Sequence, residues 1–172
     1  EIFSRCFDKN ITFLPNDYDI KKIKYDEHLS MFGLLKYYAK QDQDPKKNEI
    51  ILKFNDGEVN RIKGKLKGEK KICGISWFSK NNQSGKDRSY SLLDFIKSFG
   101  NSMHDYVYVN LQYNSSIDEI SQVSRKLGVT IYNDEEIDLF NDIDRLLNLA
   151  GACDFIVSID NTTIHLAGAA GI

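Results

Sequence analysis

The residues best suited to chemistry come late in the chain. Asp160, Asn161, Thr162, Thr163 and His165 follow the apolar run "DFIVSI" and stand at the head of the small-residue stretch "HLAGAAG". An Asp or Asn at such a place caps a helix, and the free N–H groups of the first helical turn, with the helix dipole, suit a phosphate. The hydroxyls of Thr162 and Thr163 add hydrogen-bonding groups. "AGAAG" has almost no side chain, so a helix built from it can sit close to a sheet and bring backbone close to a ligand. The same residue types cap many helices that bind nothing, so a bare cap and a ligand site both stand at this point. His165 falls in the first turn, where the dipole disfavours its protonated form and leaves a donor for a phosphate or sugar; the alternative is a structural role.

A second set lies after the run "KICGISWF". Ser79 and Lys80 lead into the loop "NNQSGKDRS", whose Ser84, Gly85, Lys86 and Arg88 make a plausible anion-holding group. Arg88 is the member suited to bidentate phosphate contacts. The spacing matches neither G-x-G-x-x-G nor G-x-x-x-x-G-K-[ST], and a solvated loop explains it equally well. Trp77 and Phe78 either fill the core or stack on a base. His28 and His104 have no sequence partners that suggest chemistry. Cys6, Cys73 and Cys153 are odd in number and widely spaced, which fits neither a metal motif nor a disulfide framework and points to a reducing cytoplasm.

These groups need elements to position them, and from residue 71 onward the chain alternates in type. "KICGISWF" reads as a strand buried on both faces, and "SLLDFIKSFG" as a helix with Leu92, Phe95, Ile96 and Phe99 on one face. "DYVYVNLQY" is the second strand. "SSIDEISQVSRKLG" is the next helix, with Ser116 and Glu119 at capping-box spacing and Gly128 where a C-terminal glycine belongs. "VTIY" is the third strand, "DIDRLLNLAGACD" a helix carrying Ile143, Leu146, Leu147 and Ala150, and "DFIVSI" the fourth strand. Such alternation predicts a parallel sheet with helices on both faces, a doubly wound, Rossmann-like α/β domain over 70–172. Ligands of such sheets sit at the carboxyl ends of the strands. This singles out Ser79 and Lys80, Gln112 and Tyr113, Asn133 and Asp134, and Asp160 to Thr163.

Residues 1–69 read differently: a helix tail running into a short strand at Ile11 to Leu14, an apolar helix at "MFGLLKYY", a polar linker "AKQDQDPKKNE" and a helix near "DGEVNRIKGKLK". They are too few for a core of their own and are expected to pack on something else or on the edge of the α/β domain. Both chain ends look like cuts through secondary structure, as in a fragment. Of the 172 residues, 41% are hydrophobic and 28% charged, which excludes disordered and collagen-like architectures. A net charge of -2 gives no general attraction to nucleic acid or anionic membrane, and the basic run "KGKLKGEKK" reads as a solvated helix end and linker. No signal peptide or transmembrane-length apolar run is visible.

"KICGISWFSKNNQSGKDRSYSLLDF", "YVNLQY" and "DFIVSIDNTTIHLAGAAG" resemble, in order and spacing, the C-terminal nucleotide-binding domain of GT-B glycosyltransferases. Within these the similarity is to family 9, the heptosyltransferase-like group, and to related bacterial enzymes joined to tetratricopeptide repeats. It is strong over about 70–172 and weaker upstream, where "KYDEHLSMFGLLKYY" looks like the end of the family's N-terminal domain.

The resemblance implies an inverting glycosyltransferase that binds a nucleoside-diphosphate sugar without metal or further cofactor and acts on a glycan, lipopolysaccharide or protein acceptor. It also implies a cytoplasmic location, with peripheral association at the inner face of a membrane. By position Asp160, Asn161, Thr162 and His165, with Thr163 beside them, match the family's Asp-Thr-Gly-x-x-His-like diphosphate segment, from which Asn161 and Thr162 depart. Ser79 and Lys80 match its phosphate-side loop, Arg88 a basic residue of its "DRS" segment, and Gln112 its "LQY" segment near the nucleotide. The family's general base comes from its N-terminal domain, so no catalytic residue is assigned. The competing expectations are a non-catalytic nucleotide- or sugar-binding module and, behind it, a sugar-nucleotide epimerase of the same fold.

Overall fold

The computed structural model of the chain describes residues 2–15, 17–30, 33, 51–66, 68–80 and 88–172. The expected helix "MFGLLKYY" (apart from Gly33), the polar linker and the loop residues Ser84, Gly85 and Lys86 lie outside the described residues.

Four strands form one all-parallel sheet: β1 (Lys71–Ser76), β2 (Tyr106–Asn110), β3 (Thr130–Tyr132) and β4 (Phe155–Ser158), in the spatial order β3-β2-β1-β4. Between them run α3 (Leu92–Lys97), α4 (Ile117–Leu127) and α5 (Ile143–Gly151), and α6 (Thr162–Ala170) follows β4. Ahead of the sheet come α1 (Ile2–Cys6) and α2 (Asp56–Lys65). The fold is α/β and Rossmann-like, as the alternation predicts.

Because successive strand residues point to opposite faces, each strand divides its side chains between two cores. Cys73, Ile75, Trp77 and Tyr108 meet Leu92, Phe95 and Ile96 of α3 and Ile120 and Val123 of α4 on one face. Val109 and Leu111 meet Val59 and Ile62 of α2 and Leu146, Leu149 and Ala150 of α5 on the other. Trp77 is thus a core residue. Burial pushes the Cys73 thiol up to about 12 and the Cys153 thiol upward as well, so both stay protonated inside the core.

Sequence-local chemistry starts and stops the helices. Ser91, Ser116 and Asp142 accept from Asp94 N, Glu119 N and Arg145 N as N-caps of α3, α4 and α5, and Gly128 ends α4 at φ 66°. Gly74 in β1 is required by space. A Cβ there would lie 2.6 Å from Leu111 Cδ1 and 3.0 Å from both Cys153 Sγ and Ile156 Cγ1. Gly74→Ala is therefore expected to cost about 1–3 kcal/mol by overpacking, read as a lowered urea midpoint.

One expectation for the N-terminal part needs correction. Ile11 to Leu14 form no strand: they find no sheet edge, and Ile11, Phe13 and Leu14 remain 50%, 40% and 43% exposed. Ahead of residue 70, the chain packs on the α/β core. α2, capped by Asn55, buries Val59 and Ile62 against the sheet, and Leu66 just beyond it is buried too. A helix is expected here from sequence, but only the fold shows that its apolar side faces β2 and α5. The chain before it is pinned as well: Ile51 N and Leu52 N donate to Ala169 O, both at 2.9 Å, and Arg5 pairs with Asp144. That guanidinium holds the Asp144 carboxyl below its usual range.

Candidate functional site

The connections from β1 to β2 and from β2 to β3 step one way across the sheet, while the next chain segment returns past both to place β4 beside β1. The strand order therefore reverses between β1 and β4, where open parallel sheets form a crevice at their carboxyl ends. The exits of β1 (Trp77 to Lys80) and β4 (Ile159 to Asn161) and the N-terminus of α6 meet there.

Asn161 is the N-cap of α6. Its Oδ1 accepts from Thr163 N at 3.0 Å, and its Nδ2 donates to Ser76 Oγ at 2.7 Å. This explains the asparagine, because Asp, Ser or Thr would cap the helix but could not supply the amide donor to Ser76. The buried Ser76 hydroxyl in turn donates to Gln112 Oε1 at 2.9 Å. Gln112, 1% exposed, also accepts from Trp77 N at 3.0 Å and Phe78 N at 2.8 Å, while its Nε2 donates to Tyr113 O at 3.0 Å. Its side-chain oxygen fixes the turn out of β1.

The network continues across the sheet. Gln112 N donates to Asn110 Oδ1 at 2.9 Å, and Asn110 Nδ2 donates to Asn133 Oδ1 at 2.7 Å and to Ser115 Oγ at 2.8 Å. A line of hydrogen bonds from Asn133 through Asn110, Gln112 and Ser76 to Asn161 therefore joins the exits of all four strands. Sequence inspection of the strand ends reaches Asn133 and Gln112 but misses Ser76 and Asn110. Both read as interior strand positions, and the only available signal is a polar residue closing an otherwise apolar strand.

Charged groups surround this floor. Arg88 pairs with the Asp160 carboxylate and also donates to Asp160 O at 3.4 Å, which brings the loop after β1 to the N-terminus of α6. His165 Nε2 lies 3.6 Å from Asp160 Oδ1, with both side chains largely exposed. Ser79 N donates to Ser89 Oγ at 3.0 Å and Tyr90 N to Trp77 O at 2.9 Å, closing the neck of the loop, while Lys80 N donates to Tyr113 Oη at 3.3 Å. Thr163 is buried and Thr162 exposed on the first turn of α6. The expected residues Asp160, Asn161, Thr162, Thr163, His165, Ser79 and Arg88 thus gather at the β1/β4 crevice, while Lys80 turns its backbone toward Tyr113 after β2. His28 and His104 stand elsewhere, exposed. Among the described residues no group of three or more His, Cys, Asp or Glu is arranged to hold a metal ion, and no helix is long and apolar enough to cross a membrane.

These features define a Rossmann-like α/β protein with polar groups and the Arg88–Asp160 ion pair gathered at its topological switch point. Over 131 residues, 74% of its length, the chain is 33% identical to Protein FlbA of Caulobacter vibrioides. It spans 21% of that protein's length. No protein-family model and no solved structure matches the chain.

Proposed function

We propose that the β1/β4 crevice binds the diphosphate of a nucleoside-diphosphate sugar, as part of an inverting glycosyltransferase that uses protein groups rather than a metal to stabilise the leaving diphosphate. The observation that carries this reading is the convergence of the α6 N-terminus with Arg88 at the switch point. Asn161 takes the Thr163 N–H. The other N–H groups of that turn point out of the helix end and complement phosphate oxygens. A guanidinium has five donors in a planar fork, so Arg88 can hold Asp160 and a phosphate together and offset the negative charge developing on the departing group. The likeness of "DNTTIH", "SK", "DRS" and "LQY" to the GT-B pattern supports the same reading. In it the donor is a substrate, the acceptor is a glycan, lipopolysaccharide or protein, and the transfer occurs in the cytoplasm, at the inner face of a membrane where the acceptor is lipid-linked.

The primary test is calorimetric titration with pyrophosphate and with ADP, GDP, UDP, TDP and CMP, before and after Arg88→Ala. Loss of this charge-assisted contact is expected to weaken diphosphate binding about tenfold or more, with the effect shrinking as salt is raised. Undiminished binding by the variant would remove the cationic half of the proposed site.

A further inference from the structure

A second concavity lies two strands away. Between the exits of β2 and β3 a cavity of about 410 Å³ is lined by Asn110, Asn133, Glu135, Asp138, Ile117 and Phe140, among others. Its floor is amide, through Asn110 and Asn133 of the network that also reaches Asn161. Its rim is aromatic and apolar: Phe140 is 61% exposed with its ring 5.7 Å from that of Tyr113, and Ile117 is 48% exposed. Its charged lining is acidic, with Asp134, Glu135 and Asp138, whereas the β1/β4 crevice carries the Arg88 guanidinium. Strands are spaced about 4.8 Å apart, so the two sites are separated by roughly 10 Å, comparable with the reach of a ribose and its base from a phosphate.

The geometry points to this cavity as the base subsite of the nucleotide, with guanine as the base it selects; the inference rests on the diphosphate reading of the crevice. The polarity of the two sites orients the ligand, because carboxylates repel phosphate and attract N–H donors. An ionised carboxylate is acceptor-only. Guanine is the base whose pairing edge gives a carboxylate two neighbouring donors, N1–H and the N2 amino group, beside an O6 acceptor. Adenine and cytosine offer one amino group, and uracil one ring N–H. Glu135 is exposed at the cavity wall and makes no hydrogen bond among the described residues, and the Asn133 amide nitrogen beside it is a donor suited to O6. Asp138, by contrast, is committed to Asn141 and to Phe140 N, holding the aromatic rim in place. Phe140, backed by Tyr113, then provides a face on which a purine can stack.

Titration of the protein with GDP, ADP, UDP, CDP and pyrophosphate, repeated on Glu135→Gln, tests this. The expected result is GDP binding about tenfold tighter than the other nucleotides, a preference abolished by Glu135→Gln while pyrophosphate binding is unchanged. Glu135 is exposed, so the variant should fold as the parent does. Equal or tighter binding of ADP, UDP or CDP, or a GDP preference that survives Glu135→Gln, overturns the inference and leaves the diphosphate site standing. Failure of pyrophosphate and every nucleotide to bind overturns both.

Discussion

Gln112→Leu is expected to destabilise the protein by about 3–5 kcal/mol, the larger of the two main predictions. The substitution nearly preserves volume and adds apolar surface, so on hydrophobicity alone it should be mild. The cost comes from what it leaves behind. Gln112 Oε1 is the shared acceptor for Ser76 Oγ, Trp77 N and Phe78 N. The hydroxyl can turn elsewhere, but the two backbone N–H groups are fixed in the bend, that of Trp77 buried and that of Phe78 half-buried. Each buried donor left unmade costs about 1–3 kcal/mol, and Tyr113 O loses its donor as well. Urea denaturation measures the loss directly. A midpoint within error of the parent would show that the β1 exit is held by something other than this side chain. The same experiment separates two roles for Gln112 in the nucleotide reading. A ligand contact would change affinity with little change in stability, whereas the observed bonding predicts the reverse.

The second large effect is expected at Ile62→Ala, about 2–4 kcal/mol from lost burial and the cavity left behind. Ile62 is 1% exposed and lies in the cluster that contains Val109, Leu111, Leu146 and Leu149. If α2 were a linker helix lying loosely on the domain, the substitution would cost a few tenths of a kcal/mol and leave cooperative unfolding unchanged. A full-size loss in a single transition would establish that the cooperative unit includes α2.

The two predictions fall on either side of what sequence reading could reach. The strands and helices from residue 71 onward were legible because each carries its own periodicity and its own punctuation. Ser91, Ser116 and Asp142 cap the helices that the apolar patterns announce, and Gly128 closes α4 in the left-handed conformation that glycine tolerates. The gathering of Asp160 to His165 with Arg88 was legible in part, since strand exits in parallel sheets lie along one edge. The Ile11 to Leu14 segment misled because strand propensity is satisfied only when a partner edge exists, and none reaches it. Gln112 was placed near the ligand by its position after β2, but sequence position does not say which way a side chain turns or what already occupies its oxygen.

The sequence by itself determined the alternation of strand and helix, the apolar faces and the caps, because these depend on residues within one or two turns of each other. Tertiary structure decided the rest. Strand order brought β4 beside β1 and so created the crevice, and α2 was drawn into the core across about fifty residues of intervening chain between Val59 and Val109. It also joined Asn161 to Ser76 and Ser76 to Gln112, contacts spanning 85 and 36 residues. Such pairings are chosen by the packing of whole elements and by the requirement that every buried polar group find a partner. That requirement acts in space rather than along the chain.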